Sequence, residues 1–235
     1  MAAVLRLPQY VDALRAHHGA PPAPYPSAPF ELILWENVAY LANDRRRLQA
    51  FAALREQVGT HPGAILAASG EVLLDVTTRG ILGERFALKL REAARIALDE
   101  FKGDLDAVVR RPLKDARKCL RKFPGIGEPG AEKILLFTRQ QPLLAPDSNA
   151  LRVMVRLGLC AEHRNYAATY AGARAVAQQQ LPADIDALIE ARQLLRLHGQ
   201  TLCHRSAPDC HRCPLAPDCA FAARPGKHPP AGAPV

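Results

Sequence analysis

The sequence predicts an all-α protein built as two helical lobes. Apolar residues recur at the 3.6-residue spacing of a helix along almost the whole chain, and the strict alternation of a half-buried strand occurs almost nowhere. The connections between periodic stretches are short, as packed helices require, and no internal repeat interrupts them. With 235 residues the chain can bury a sizeable core, as one domain or as two small ones.

The first helix is expected over about residues 8–17. The segment GAPPAPYPSAP that follows is too proline-rich for either regular element and reads as a linker or a belt over the surface. The apolar period then predicts helices at about 30–43, 45–57, 62–69, 71–79, 84–101, 104–110, 113–122, 129–140, 148–158, 165–180 and 184–202. These divide into a central lobe over 28–135 and a second lobe formed by 1–27 and 136–222, with a flexible tail at 223–235.

Net charge is +8 and the isoelectric point about 9.4, a surplus that favours a polyanionic partner, nucleic acid being the commonest soluble one. Aromatics make up only 6%, which argues against rows of bases stacked on ring platforms. No apolar run reaches the roughly 18 residues needed to span a bilayer. The opening MAAVLRLPQYVDALR has no positive stretch followed by a sustained apolar one, so a cytoplasmic, membrane-free protein is expected, nucleoid-associated in a prokaryote.

Cys203, Cys210, Cys213 and Cys219 stand in the spacing C-x6-C-x2-C-x5-C. Four thiolates within one loop of 17 residues can hold a cubane iron-sulfur cluster or a structural zinc ion. Zinc usually takes two close-set x2 pairs, whereas the x6 and x5 arms here ask for a larger guest, so a [4Fe-4S] cluster is the expected cofactor and zinc the alternative. Disulfides rank last without a sign of export. Cys119 and Cys160 lie outside the pattern and read as buried thiols.

Basic residues crowd the stretch from Arg110 to Lys122, opposed there only by Asp115. On a helix over 113–122, Leu113, Ala116 and Leu120 form an apolar seam while Lys114, Arg117, Lys118 and Arg121 point away. With Lys122, this face is either a phosphate-tracking surface or simply solvated. It leads into Pro124-Gly125-Ile126-Gly127, a tight turn between two helices. Gly125 and Gly127 let backbone amides approach a ligand, Ile126 tucks between the helices, and the start of the next helix offers an anion site. Further on, Asp147 stands where a loop meets a helix, the position of an N-cap.

The turn, the aspartate about twenty residues later and the cysteine run behind it, in this order, resemble the endonuclease III branch of the helix-hairpin-helix DNA glycosylase superfamily. The resemblance covers about residues 29–221. It implies a central helical-barrel lobe carrying the hairpin, an iron-sulfur lobe joined by the N-terminal segment, and a DNA-binding cleft between them. It also implies that Asp147 is the catalytic carboxylate, that the [4Fe-4S] centre shapes a DNA-contacting loop without cutting the glycosidic bond, and that Arg205, His211 and Arg212 in that loop face phosphate. Chemically, base removal leaves positive charge on the sugar, which an anion stabilises or answers by orienting water.

Two positions depart from the family's pattern. The Schiff-base lysine of bifunctional members is replaced by Pro129, which suits a first helical turn but has no free amine. Lys133, one turn on and roughly 6 Å further along the axis, is the alternative amine. In PFELILWENVAYLAND, the glutamine that fills the gap left by the extruded base is replaced by Leu41, which would act as an apolar wedge. Glu36, Asn37 and Tyr40 are candidates for a base pocket on that helix or for core and interlobe positions, and Trp35 reads as core. The expected protein is a monomeric, monofunctional base-excision-repair glycosylase acting on double-stranded DNA that carries a damaged or mismatched base. The alternatives are a bifunctional glycosylase/lyase using Lys133 and a non-catalytic binder of abasic or distorted DNA.

Overall fold

A computed structural model describes residues 6–224, and among them every regular element is helical. α1 (Arg6–His18) is followed by α2 (Pro29–Val38), α3 (Asp44–Gln57), α4 (Pro62–Ala67), α5 (Gly70–Thr77), α6 (Gly83–Phe101), α7 (Leu105–Val109), α8 (Leu113–Leu120) and α9 (Glu128–Phe137). Then come α10 (Ser148–Arg156), α11 (Tyr166–Gln180) and α12 (Ile185–Thr201), with 3-10 turns at Cys210–Arg212 and Ala216–Asp218. The chain forms two compact units, Pro24–Gln141 and Met1–Ala23 with Pro142–Val235. The central unit runs somewhat wider than 28–135. The expected tail lies, from residue 225 on, outside the described residues.

In the central unit, α2 is apolar on almost every side, with Leu32, Ile33, Leu34 and Val38 buried, and it packs on α3, α6, α7 and α9. It stops at Val38, short of the expected 43: Ala39 turns extended and Leu41 adopts φ 53°. The Tyr40 carbonyl instead accepts from Ile81 N–H at 3.0 Å, so a tertiary bond replaces the next helical one. α6 buries Phe86, Leu90, Ala93, Ala94, Ala97 and Phe101, a single stripe at helical spacing. Its alanines let α2, α4 and α5 come close. Fully burying a residue such as Leu90 contributes about 1.5–3 kcal/mol.

The other unit gathers α1, α10, α11 and α12 around Leu7, Leu14, Ala150, Met154, Leu194 and Leu195. α10 and α12 cross closely at Gly199, where a Cβ would lie 2.8 Å from the Asn149 carbonyl oxygen. Side chains at the starts of three helices accept from first-turn amides: Asp147 for α10, Asn165 for α11 and Asp184 for α12.

Candidate active site, nucleic-acid surface and cysteine loop

The turn joining α8 to α9 is held from below by Asn37. This side chain is fully buried and donates through Nδ2 to the Ile33 carbonyl at 3.0 Å and the Pro124 carbonyl at 2.9 Å. Gly125 takes φ 75°, and a Cβ there would stand 3.0 Å from Asn37 Oδ1. Ile126 is buried in the core while Gly125 and Gly127 are exposed. Asn37 is thus buried beneath the hairpin and ties α2 to its turn.

Lys114, Lys118, Arg121 and Lys122 are exposed, and with Leu113, Arg117 and Glu128 they line an open groove of about 650 Å³. Arg117 departs from its expected outward direction: it is half-buried and pairs with the buried Glu132 of α9. A carboxylate carried into the core needs such a partner. Lys122 is paired with Glu100. The cations of this face without a carboxylate partner in the structure's ion pairs are thus fewer than the sequence count implies. Reversing Lys118 and Arg121 to Glu is expected to weaken binding to undamaged duplex and to flatten the slope of log K against log salt by about two units. A titration across salt concentrations checks this, and an unchanged slope would make the groove a merely solvated surface.

Glu36 and Lys133 meet in the central unit as an ion pair between α2 and α9, with the Lys133 side chain only 11% exposed. Beyond them the end of α2 is open. Tyr40 stacks on Phe86 at 4.7 Å between ring centroids and is partly exposed, and Leu41 is 70% exposed. Ile81 and Leu82, on the turn bonded to Tyr40, are also exposed, so three aliphatic side chains face water on neighbouring turns. Trp35 is half-buried, edge-on to Tyr25 and Phe51.

In the other unit, Asp147 is both a helix cap and an ion-pair partner. Oδ1 accepts from the amides of Asn149 at 3.0 Å and Ala150 at 2.9 Å, and Oδ2 lies 2.9 Å from Arg196 Nε. Tyr166 is half-covered and stacks on Tyr170; partial burial first, and the nearby Asp147 carboxylate second, raise its phenol above the ordinary range. Arg152 and Arg156, on the helix that Asp147 caps, reach the cysteine loop. Arg152 donates to the carbonyls of Cys203 at 2.9 Å and Gly199 at 2.6 Å. Arg156 donates to Cys203 Sγ at 3.2 Å and to the carbonyls of His204 at 2.7 Å and Arg205 at 2.9 Å.

Cys203, Cys210, Cys213 and Cys219 line one small cavity walled by Val153, Leu157, Leu202, Leu215 and Phe221. Burial pushes the Cys213 thiol up to about 11, and neighbouring cysteines add to this; Cys210 is raised by the same two causes. Such mutual repulsion of thiolates is relieved by a cationic guest. Among the described residues no three His, Cys, Asp or Glu side chains are arranged to hold a metal ion. Buried His198 joins the wall, its Nε2 3.4 Å from Cys213 Sγ and its Nδ1 3.2 Å from His18 Nε2; burial pushes it down to about 4. Arg212 and His211 on the outer side of the loop are exposed, and both pair with Asp209.

Among known proteins, endonuclease III of Sulfolobus acidocaldarius is 25% identical over 195 residues, 82% of each chain. A trapped endonuclease III–DNA covalent intermediate matches in structure with a TM-score of 0.76, covering 94% of this chain and 98% of that one at 21% identity. The chain has the helix-hairpin-helix DNA glycosylase fold. A thermostable thymine-DNA glycosylase matches with a TM-score of 0.74, covering 92% of this chain and 96% of that one at 16% identity. No family model matches the sequence. Among the described residues no helix is long and apolar enough to cross a membrane.

Several residues of this glycosylase-fold chain escaped the sequence. Arg196 and Arg192 on α12 carry no motif, although two arginines four apart among leucines were a visible signal of polar contacts at a packed face. Ile81 and Leu82 stand between two glycines in the connection from α5 to α6, where no motif marks them, and both are exposed.

Proposed function

We propose that this chain is a monofunctional DNA glycosylase of base excision repair, hydrolysing the N-glycosidic bond of a damaged or mismatched base in duplex DNA with Asp147 as the catalytic carboxylate. The observation that carries the reading is the way Asp147 is held: one oxygen fixed by two helix amides and the other by Arg196. A carboxylate already oriented needs little reorganisation as positive charge develops on the sugar, and it can equally orient the attacking water. The exposed glycines of the hairpin and the groove of Lys114, Lys118 and Arg121 would receive phosphates. Leu41, with Ile81 and Leu82 beside it, would fill the space left by the extruded nucleotide.

Cys203, Cys210, Cys213 and Cys219 would hold a [4Fe-4S] cluster, whose part is to frame the loop that presents Arg212 to DNA. What supports a cluster over a single zinc ion is the C-x6-C-x2-C-x5-C spacing, with all four cysteines lining the same cavity.

The lyase reading draws support from the name of the related proteins and from the covalent intermediate trapped in one of them. Against it, Pro129 offers no amine and the Lys133 ammonium is engaged by Glu36 in a nearly buried pair. The decisive experiment releases bases from duplexes carrying uracil, thymine glycol, alkylated purines, oxidised guanine or mismatches, with and without borohydride. Base release that leaves an intact abasic strand, cut only by hot alkali, and no trapped complex is the expected result. Trapping by the wild type that Lys133→Ala abolishes would establish the lyase. No release from any duplex, with binding to abasic DNA retained, would leave a non-catalytic binder.

A further inference from the structure

We infer that α12 supplies a two-arginine clamp for the segment that delivers Asp147, with Arg196 the positioning residue of the proposed hydrolysis; this rests on the reading of Asp147 given above. Ala145 is 1% exposed and adopts φ 47°, a left-handed backbone that a residue with a Cβ rarely takes. A strained residue of this kind persists only where its surroundings hold it. Arg192, itself 4% exposed, donates Nε to the Ala145 carbonyl at 2.8 Å. Arg196, one helical turn later, binds Asp147 Oδ2 at 2.9 Å, and its own Nη1 is fixed by Gln200 Oε1 at 3.0 Å. Both ends of Ala145-Pro146-Asp147 are therefore tied to one helix, and Gly199 lets that helix cross α10 at contact distance.

Other groups near the carboxylate do not replace Arg196. Arg152 feels the charge of Asp147 but spends its donors on Cys203, Gly199 and Asn149, and Tyr166 carries no positive charge. With Arg196 removed, only the two amides would hold the carboxylate, and its plane could tilt about the Cβ–Cγ bond. A carboxylate displaced by about 1 Å costs on the order of 100-fold in rate.

The test measures single-turnover base release from whichever duplex of the panel the wild type processes fastest, and the dissociation constant for the same sequence carrying a tetrahydrofuran abasic analogue. Arg196→Leu is expected to release base about 10- to 100-fold more slowly with little change in affinity. Arg196→Lys should recover part of the loss, and tens of millimolar guanidinium, against sodium chloride of equal ionic strength, should speed Arg196→Leu but not the wild type. Adding Arg196→Leu to Asp147→Asn should change the rate little, since the two act through one group. If Arg196→Leu fails to fold, Arg196→Gln takes its place in every arm. A wild-type rate for the folded variant, or a loss that neither lysine nor guanidinium relieves and that adds in full to Asp147→Asn, overturns the clamp. A wild-type rate for Asp147→Asn itself, or no base release by the wild type, overturns the reading of Asp147 instead.

Discussion

Asp147→Asn is expected to slow single-turnover base release by roughly 10²–10⁴-fold while leaving affinity for the duplex nearly unchanged. The substitution is nearly isosteric, and the asparagine Oδ1 can still accept from the amides of Asn149 and Ala150, so α10 keeps its cap. What disappears is the negative charge and, with it, the pairing to Arg196. A residue that only caps would show the opposite pattern: about 1 kcal/mol or less of stability lost and the rate intact. Rates under enzyme excess, thermal unfolding and equilibrium binding on the same preparation separate the two.

The second large effect belongs to the cysteine loop. The purified protein should be yellow-brown, with broad absorption near ~400 nm and about four irons per chain. Cys210→Ser or Cys213→Ser should bleach it and weaken DNA binding. The loop from Cys203 to Cys219 contains two single 3-10 turns and no α-helix, so little backbone structure would hold its shape once a ligand is gone. Metal analysis, absorption and a binding titration give the answer. A colourless protein with one zinc per chain would sink the cluster assignment while leaving the catalytic reading standing.

Much of this was legible in the sequence because its signals are local. The apolar stripe of α6 repeats without interruption, and its expected span of 84–101 differs by one residue from the helix that forms. The hairpin and the cysteine spacing are likewise local patterns. What escaped depends on partners distant in the chain. The end of α2 is set by a hydrogen bond from Ile81, some forty residues on, so periodicity carried the helix too far. Arg117 has the spacing of an outward-facing residue, yet the buried Glu132 draws it in. Asn37 could be placed on a helix from sequence, but its duty to the Pro124 carbonyl arises only when α2 packs beneath the hairpin. Arg196 pairs with a residue 49 positions away and forms no pattern with it.

α10 joins two kinds of chemistry in a rod of nine residues, about 13 Å long. Asp147 starts it, and the arginines along it grip Cys203 and the residues that follow. A change that unseats the cysteine loop would therefore pull on the same rod that seats the carboxylate, so damage at one end of α10 is felt at the other.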